Sequence, residues 1–145
     1  MPGIVVGVDE SAHAHLALDW AMREAAARKT ELTVLTVIPA MASPWTKRPL
    51  AVPDADHAIK SARAATEESV AKCASDLGSS KPTSVSVKVF TGFPASALID
   101  AGADAELVVV GSRGGGGFGE LLLGSVSSQV AHHATCPVVI VPSGR

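Results

Sequence analysis

The stretch from Gly111 to Val130 reads GSRGGGGFGELLLGSVSSQV, and seven of the chain's 13 glycines fall between Gly111 and Gly124. Glycine puts no Cβ between a backbone N–H and an anion, so such a loop can close around phosphate oxygens. Gly124 and Ser125 then open a segment of helical character, where free N–H groups and the positive end of the helix dipole favour the same ligand. The Ser125 hydroxyl adds one more donor. The chemistry these residues suit is the binding of a polyphosphate. It is not that of a P-loop, which needs GxxxxGK[ST], because no lysine lies in or near this loop. Gly114, Gly116 and Gly119 match dinucleotide spacing, but Val139 stands about 20 residues on, where that motif wants an acid, so the match is coincidental.

Other reactive side chains offer less. His13 and His15 point to opposite sides of a helix, and the adjacent His132 and His133 cannot both face one ion, so no metal site is expected from them. Cys73 and Cys136 are too few for a disulfide framework and sit at no zinc-like spacing, which fits a reducing cytosol and two small apolar core residues.

The elements that must position the loop follow from hydrophobic pattern. Five β-branched runs, Ile4 to Val8, Leu32 to Ile38, Val85 to Val89, Leu107 to Val110 and Val138 to Val141, are mostly continuous in apolar residues, as strands buried on both faces are. The third alternates and is expected at an edge. Helical periods lie between them: about Ser11 to Arg28 with Ser11 as N-cap, Ile59 to Leu77 ending before Gly78, a short helix opened by Pro94 through Ile99, and Val126 to about Ala134 capped by Ser125. Strict β-α alternation predicts a doubly wound, five-stranded parallel sheet with helices on both faces. The 145 residues are read as one domain, with no internal repeat or dividing linker.

Composition narrows the function. Twelve basic against 14 acidic residues give a net charge of −2, and the pI near 6.2 lacks the basic footprint of a nucleic-acid binder. The N-terminal MPGIVVGVD has no basic region and meets an acid at Asp9, so no signal peptide is expected. The uncharged run from Leu121 to Gly144 is broken by Ser125, Gln129, His132, His133 and Pro137, so neither a membrane span nor a membrane partner is expected. The long connection from Pro39 to Asp56 carries four prolines, Trp45 and Lys47-Arg48, and Trp45 is its candidate lid residue.

Open α/β sheets bind ligands beyond the carboxyl ends of strands where the strand order reverses. With the order 3-2-1-4-5, which the alternation permits, the ends of the first and fourth strands are neighbours there. Asp9 then faces the glycine-rich loop. The alternatives are that Asp9 only caps the first helix, that Ser125 only caps the last, and that the loop is a turn without a ligand.

Taken together, VGVDES at the first strand, LTVLTVIP at the second, LVVVGSRG at the fourth and LLLGSVSSQVAHHATCPVVIVP at the end resemble the nucleotide-binding branch of the universal stress protein family over essentially the whole chain. The resemblance implies a Rossmann-like, adenine nucleotide alpha hydrolase-like fold that binds ATP with its Mg²⁺. It implies nucleotide contacts at Val8 and Asp9, at the Val37 backbone for adenine, and at Val110, Gly111, Arg113, Gly114, Gly124, Ser125 and the Val126 N–H for ribose and phosphates. Asp9 is the candidate metal contact, through the nucleotide-bound ion. It further implies a cytoplasmic homodimer joined through the last strand, Cys136 to Val141, acting as a nucleotide-state regulator in the stress response. No catalytic residue is assigned, since the loop holds no His, Glu or Lys placed as a base; a weak ATPase or an autophosphorylating enzyme of the same fold is the alternative. Two features depart from the family's simplest pattern: the unbroken run Gly114 to Gly117, which raises the ordering cost on binding, and Arg113 between the signature glycines.

Overall fold

In the computed structural model, which describes residues 3–9, 11, 13–82, 84–112 and 124–143, strands and helices alternate. The strands are β1 (Ile4–Gly7), β2 (Leu32–Pro39), β3 (Val85–Gly92), β4 (Leu107–Gly111) and β5 (Val138–Val141). The helices are α1 (Ala14–Arg28), α2 (Ala55–Leu77), α3 (Pro94–Gly102) and α4 (Ser125–His133). All strand pairs are parallel, as the alternation predicts, and the order is β3-β2-β1-β4-β5, the one taken above among those the alternation permits.

Each strand splits its apolar residues between two helical layers, because successive side chains point to opposite faces. Ile4, Val6, Leu32, Val34, Leu107 and Val109 pack with Ala17, Leu18, Ala21, Met22 and Ala25 of α1 on one side. Val5, Leu35, Val37, Val108 and Val110 pack with Ala95 and Leu98 of α3 and Val130 of α4 on the other. The second layer lies very close to the sheet: a Cβ at Gly7 would fall 2.8 Å from Leu98, and one at Gly102 would fall 2.8 Å from Val108.

Two helix starts differ from the sequence reading. Helix α1 begins at Ala14, with His13 at the N-cap and no side-chain cap bond. Ser11 is not the cap, because its N–H donates to Asp9 Oδ1 at 2.8 Å and the chain turns there before the helix begins. Helix α4 starts at Ser125 with Gly124 as its N-cap, so Ser125 is the first helical residue and not the cap. Helix α2 starts at Ala55, four residues before the apolar period at Ile59, and α3 runs to Gly102.

Candidate functional site

The parallel register of β1 with β4, Ile4 opposite Leu107 and Val6 opposite Val109, brings the carboxyl ends of the two strands side by side. Val8 and Asp9 leave β1 there, and Val110 and Gly111 end β4. Val8 is held by its N–H to the Leu35 carbonyl at 3.0 Å. Asp9 is exposed, with one carboxylate oxygen fixed by the Ser11 N–H. Val37 lies two residues beyond Leu35 on β2. Its side chain is buried on the α3 side, so it can present only backbone toward the strand ends.

Gly111 and Gly124, at the two ends of the glycine-rich loop, are tied together through Ser112 and Ser127. The Ser112 carbonyl accepts the Gly124 N–H at 2.6 Å and the Ser127 hydroxyl at 3.2 Å. That hydroxyl also lies 3.2 Å from the Gly124 carbonyl, and Ser127 is only 2% exposed. Ser112 in turn donates its N–H to Val141 at 2.8 Å, and its hydroxyl accepts the Ser143 N–H at 3.2 Å. The start of α4 is thereby fastened to the ends of β4 and β5.

The first intrahelical bond of α4 runs from the Ser128 N–H to the Gly124 carbonyl at 3.0 Å. Among the described residues, this leaves the N–H groups of Ser125, Val126 and Ser127 as the orphan donors of the first turn, with no side-chain cap. Ser125 is exposed beside them. Such a helix end attracts an anion. The structure thus brings Val8, Asp9, Val110, Gly111, Gly124, Ser125 and Val126 to one end of the sheet. Arg113 and Gly114 lie outside the described residues.

Beside Asp9, a recess of about 310 Å³ opens between the end of β1, α1 and α2. Ala14, Leu18, Ala62 and Ala65 give it apolar walls, and Thr36, Thr66, Ser69 and Ser11 supply hydroxyls. The Thr36 and Thr66 hydroxyls share a buried hydrogen bond of 3.0 Å. The Ser11 hydroxyl is buried and has no hydrogen-bond partner among the described residues. Sequence reasoning missed this contribution of α2, as it missed the Ser112–Ser127 tie. The visible signals were Thr36 inside an otherwise apolar strand and Thr66 on the inward side of α2.

The remaining candidates stay apart from this end. Among the described residues no group of three His, Cys, Asp or Glu could hold a metal ion. His132 places Nδ1 2.8 Å from the Ser128 carbonyl, one turn back on its own helix. Cys73 donates to Asp19 Oδ1 at 3.8 Å, and its pKa is pushed up to about 11 by burial and then by the Asp19 charge. Cys136 is also raised by burial. Trp45 is 91% exposed and does not line the recess.

A doubly wound parallel sheet whose order reverses between β1 and β4, with an acid just after β1 and the start of α4 at the same end, is the architecture in which open α/β sheets commonly hold ligands at the switch point. The profile of the universal stress protein family matches residues 2–142, and the chain belongs to that family. A universal stress protein of Mycolicibacterium smegmatis is 37% identical over 139 residues, covering 96% of this chain and 47% of its own length. The chain therefore spans about half the length of that relative. In fold it is similar to a universal stress protein from Lactobacillus plantarum, with a TM-score of 0.72, 23% identity and 97% of each chain covered. It is also similar to the universal stress protein from Archaeoglobus fulgidus in complex with dAMP, with a TM-score of 0.65, 24% identity, and 97% and 98% of the two chains covered.

Proposed function

We propose that this protein binds ATP at the carboxyl ends of β1 and β4, and that the bound nucleotide sets its state as a cytoplasmic regulator of the stress response. The observation that carries the reading is the start of α4. Its orphan N–H groups at Ser125 and Val126, fastened to β4 through Ser112, lie at the end of the sheet that also carries Asp9. The dAMP bound by the Archaeoglobus relative supports an adenine nucleotide as the ligand class. In this reading Gly111, Arg113, Gly114, Gly124 and Ser125 hold ribose and phosphates, and the Val37 backbone meets adenine.

The donor set suits Mg²⁺ arriving with the nucleotide. Asp9 is a single exposed carboxylate, and Mg²⁺ bound to phosphates commonly takes one or two carboxylates and keeps several waters. The ion neutralises phosphate charge when bound. Binding and not turnover is the proposed activity, because no described residue at the α4 terminus is placed to activate a water. Two copies are proposed to associate through the last strand.

Titration calorimetry of nucleotide-stripped protein with ATP, with and without Mg²⁺, tests the reading. The expected result is a micromolar or tighter Kd, about −8 kcal/mol, lost in Gly124→Val because a branched side chain would crowd the phosphate cradle. Absence of binding by any adenine nucleotide, or full affinity in Gly124→Val, overturns it.

A further inference from the structure

Residues 40–53, between the end of β2 and the start of α2, fold back on themselves in a hairpin that the nucleotide site does not use. The Ala40 N–H donates to the Gly92 carbonyl at 2.9 Å, seating the base of the hairpin beside the end of β3. Ala42 pairs with Pro49 in an antiparallel bridge. The Ser43 N–H reaches the Arg48 carbonyl at 2.8 Å, the Lys47 N–H the Ser43 carbonyl at 3.0 Å, and the Leu50 N–H the Met41 carbonyl at 2.7 Å. The Ser43 hydroxyl accepts the N–H groups of Trp45 and Thr46, both at 3.3 Å, and the Thr46 hydroxyl accepts that of Arg48 at 3.4 Å. Pro44 and Pro49 have no N–H. Every backbone donor from Ser43 through Leu50 is therefore satisfied inside the hairpin.

Satisfied donors are common in exposed turns, and here they lower the cost of taking the tip out of bulk water. The same hairpin turns its apolar side chains outward, with Trp45 91%, Met41 78% and Leu50 45% exposed. Lys47 and Arg48 are its only charged residues, both basic and both exposed. Tryptophan favours the boundary between lipid and water. Long basic side chains can bury their stems while their charges stay among headgroups.

We propose that this hairpin docks on an anionic lipid surface, with Trp45 entering the headgroup boundary and Lys47 and Arg48 meeting lipid phosphates. The satisfied donors, outward apolar tip and one-signed charge each match that surface. A protruding tip also suits a soft surface, whereas a protein partner would have to supply a pocket shaped for Trp45. From the sequence no membrane partner is expected; peripheral docking of this kind needs no spanning helix, and none of the described helices is long and apolar enough to span.

Flotation of the full chain with phosphatidylglycerol vesicles, against phosphatidylcholine vesicles, at low ionic strength tests the proposal. The protein is expected to float with the anionic vesicles, with Trp45 emission, read in a Trp20→Phe background because the chain has a second tryptophan, shifted to the blue. Recovery should fall about tenfold or more in Trp45→Ala, in the double variant Lys47→Glu with Arg48→Glu, and in wild type at about 0.5 M salt. These positions are exposed, so unchanged far-UV circular dichroism and unfolding midpoint are expected alongside. Wild type that stays unbound to phosphatidylglycerol, or binding that survives both variants, overturns the proposal. So does a blue shift of Trp45 on adding ATP without vesicles, which would make the hairpin a lid. The flotation outcomes do not depend on whether ATP binds, so the nucleotide reading stands or falls separately.

Discussion

Asp9 commits one carboxylate oxygen to the Ser11 N–H, which orients the group at the carboxyl end of β1 while leaving it exposed to solvent. Asp9→Asn keeps a hydrogen-bond acceptor but removes the charge. It should therefore weaken ATP binding in the presence of Mg²⁺ several-fold more than in its absence, which paired calorimetric titrations would show. A different residue sets an alkaline limit on stability. Cys73 has its pKa raised from 9.0 to about 11, by burial first and by Asp19 second. The folded state thus favours the neutral thiol. Its contribution is fully present below pH 9 and is lost as pH rises from 9 through 11. Urea unfolding at pH 8 and at pH 10.5 should show wild type losing more stability over that interval than Cys73→Ala, and equal losses would assign the effect to other groups.

At the scale of elements, α4 separates two serines that look alike in the sequence. Ser125 is exposed and caps nothing, so Ser125→Ala should leave stability within about 0.5 kcal/mol while lowering ATP affinity. Ser127 is buried and ties Ser112 to Gly124, so Ser127→Ala should cost roughly 1 kcal/mol of stability and also loosen the tie between the end of β4 and the start of α4. Thermal unfolding and titration of both variants check the contrast. The sequence showed the glycines and the serines of this region but not which hydroxyl faced inward, because that depends on how α4 meets β4 and β5. The strands were legible for the opposite reason: continuous apolar runs such as Leu107 to Val110 have few other places to go. Their ends were less so, since β3 extends to Gly92 only by pairing with the full length of β2, Pro39 opposite Gly92. The start of α2 was missed because Ala55 to Ala58 include the exposed, polar Asp56 and His57, which carry no inward period. The recess beside Asp9 needs α1, α2 and β2 together, and no local pattern announces it.

For the whole molecule, β5 is the more adhesive edge of the sheet. It is the last strand in the sheet order, and all four of its residues, Val138 to Val141, are apolar and only half-buried. Val139 and Val141 lean on one core layer and Val138 and Ile140 on the other, so both faces of an edge strand remain partly wet. An apolar edge with free backbone groups invites pairing with another chain unless something blunts it. The opposite edge is blunted in part: β3 alternates, placing Ser86 and Lys88 outward beside a partly exposed Phe90, and Arg63 donates to the Val87 carbonyl at 3.0 Å. The asymmetry favours association through β5 and not through β3. Sedimentation equilibrium should accordingly find a dimer. Ile140→Lys should shift it to monomer, and Lys88→Ala should not. Because Ser112 is bonded to both Val141 and Ser143, the β5 edge and the start of α4 share one anchor. If the dimer stiffens that anchor, wild type diluted to monomer should bind ATP more weakly than the dimer, a comparison free of any direct effect of Ile140 on Val110, its partner across β4 and β5. Equal affinity in monomer and dimer would confine the interface to assembly.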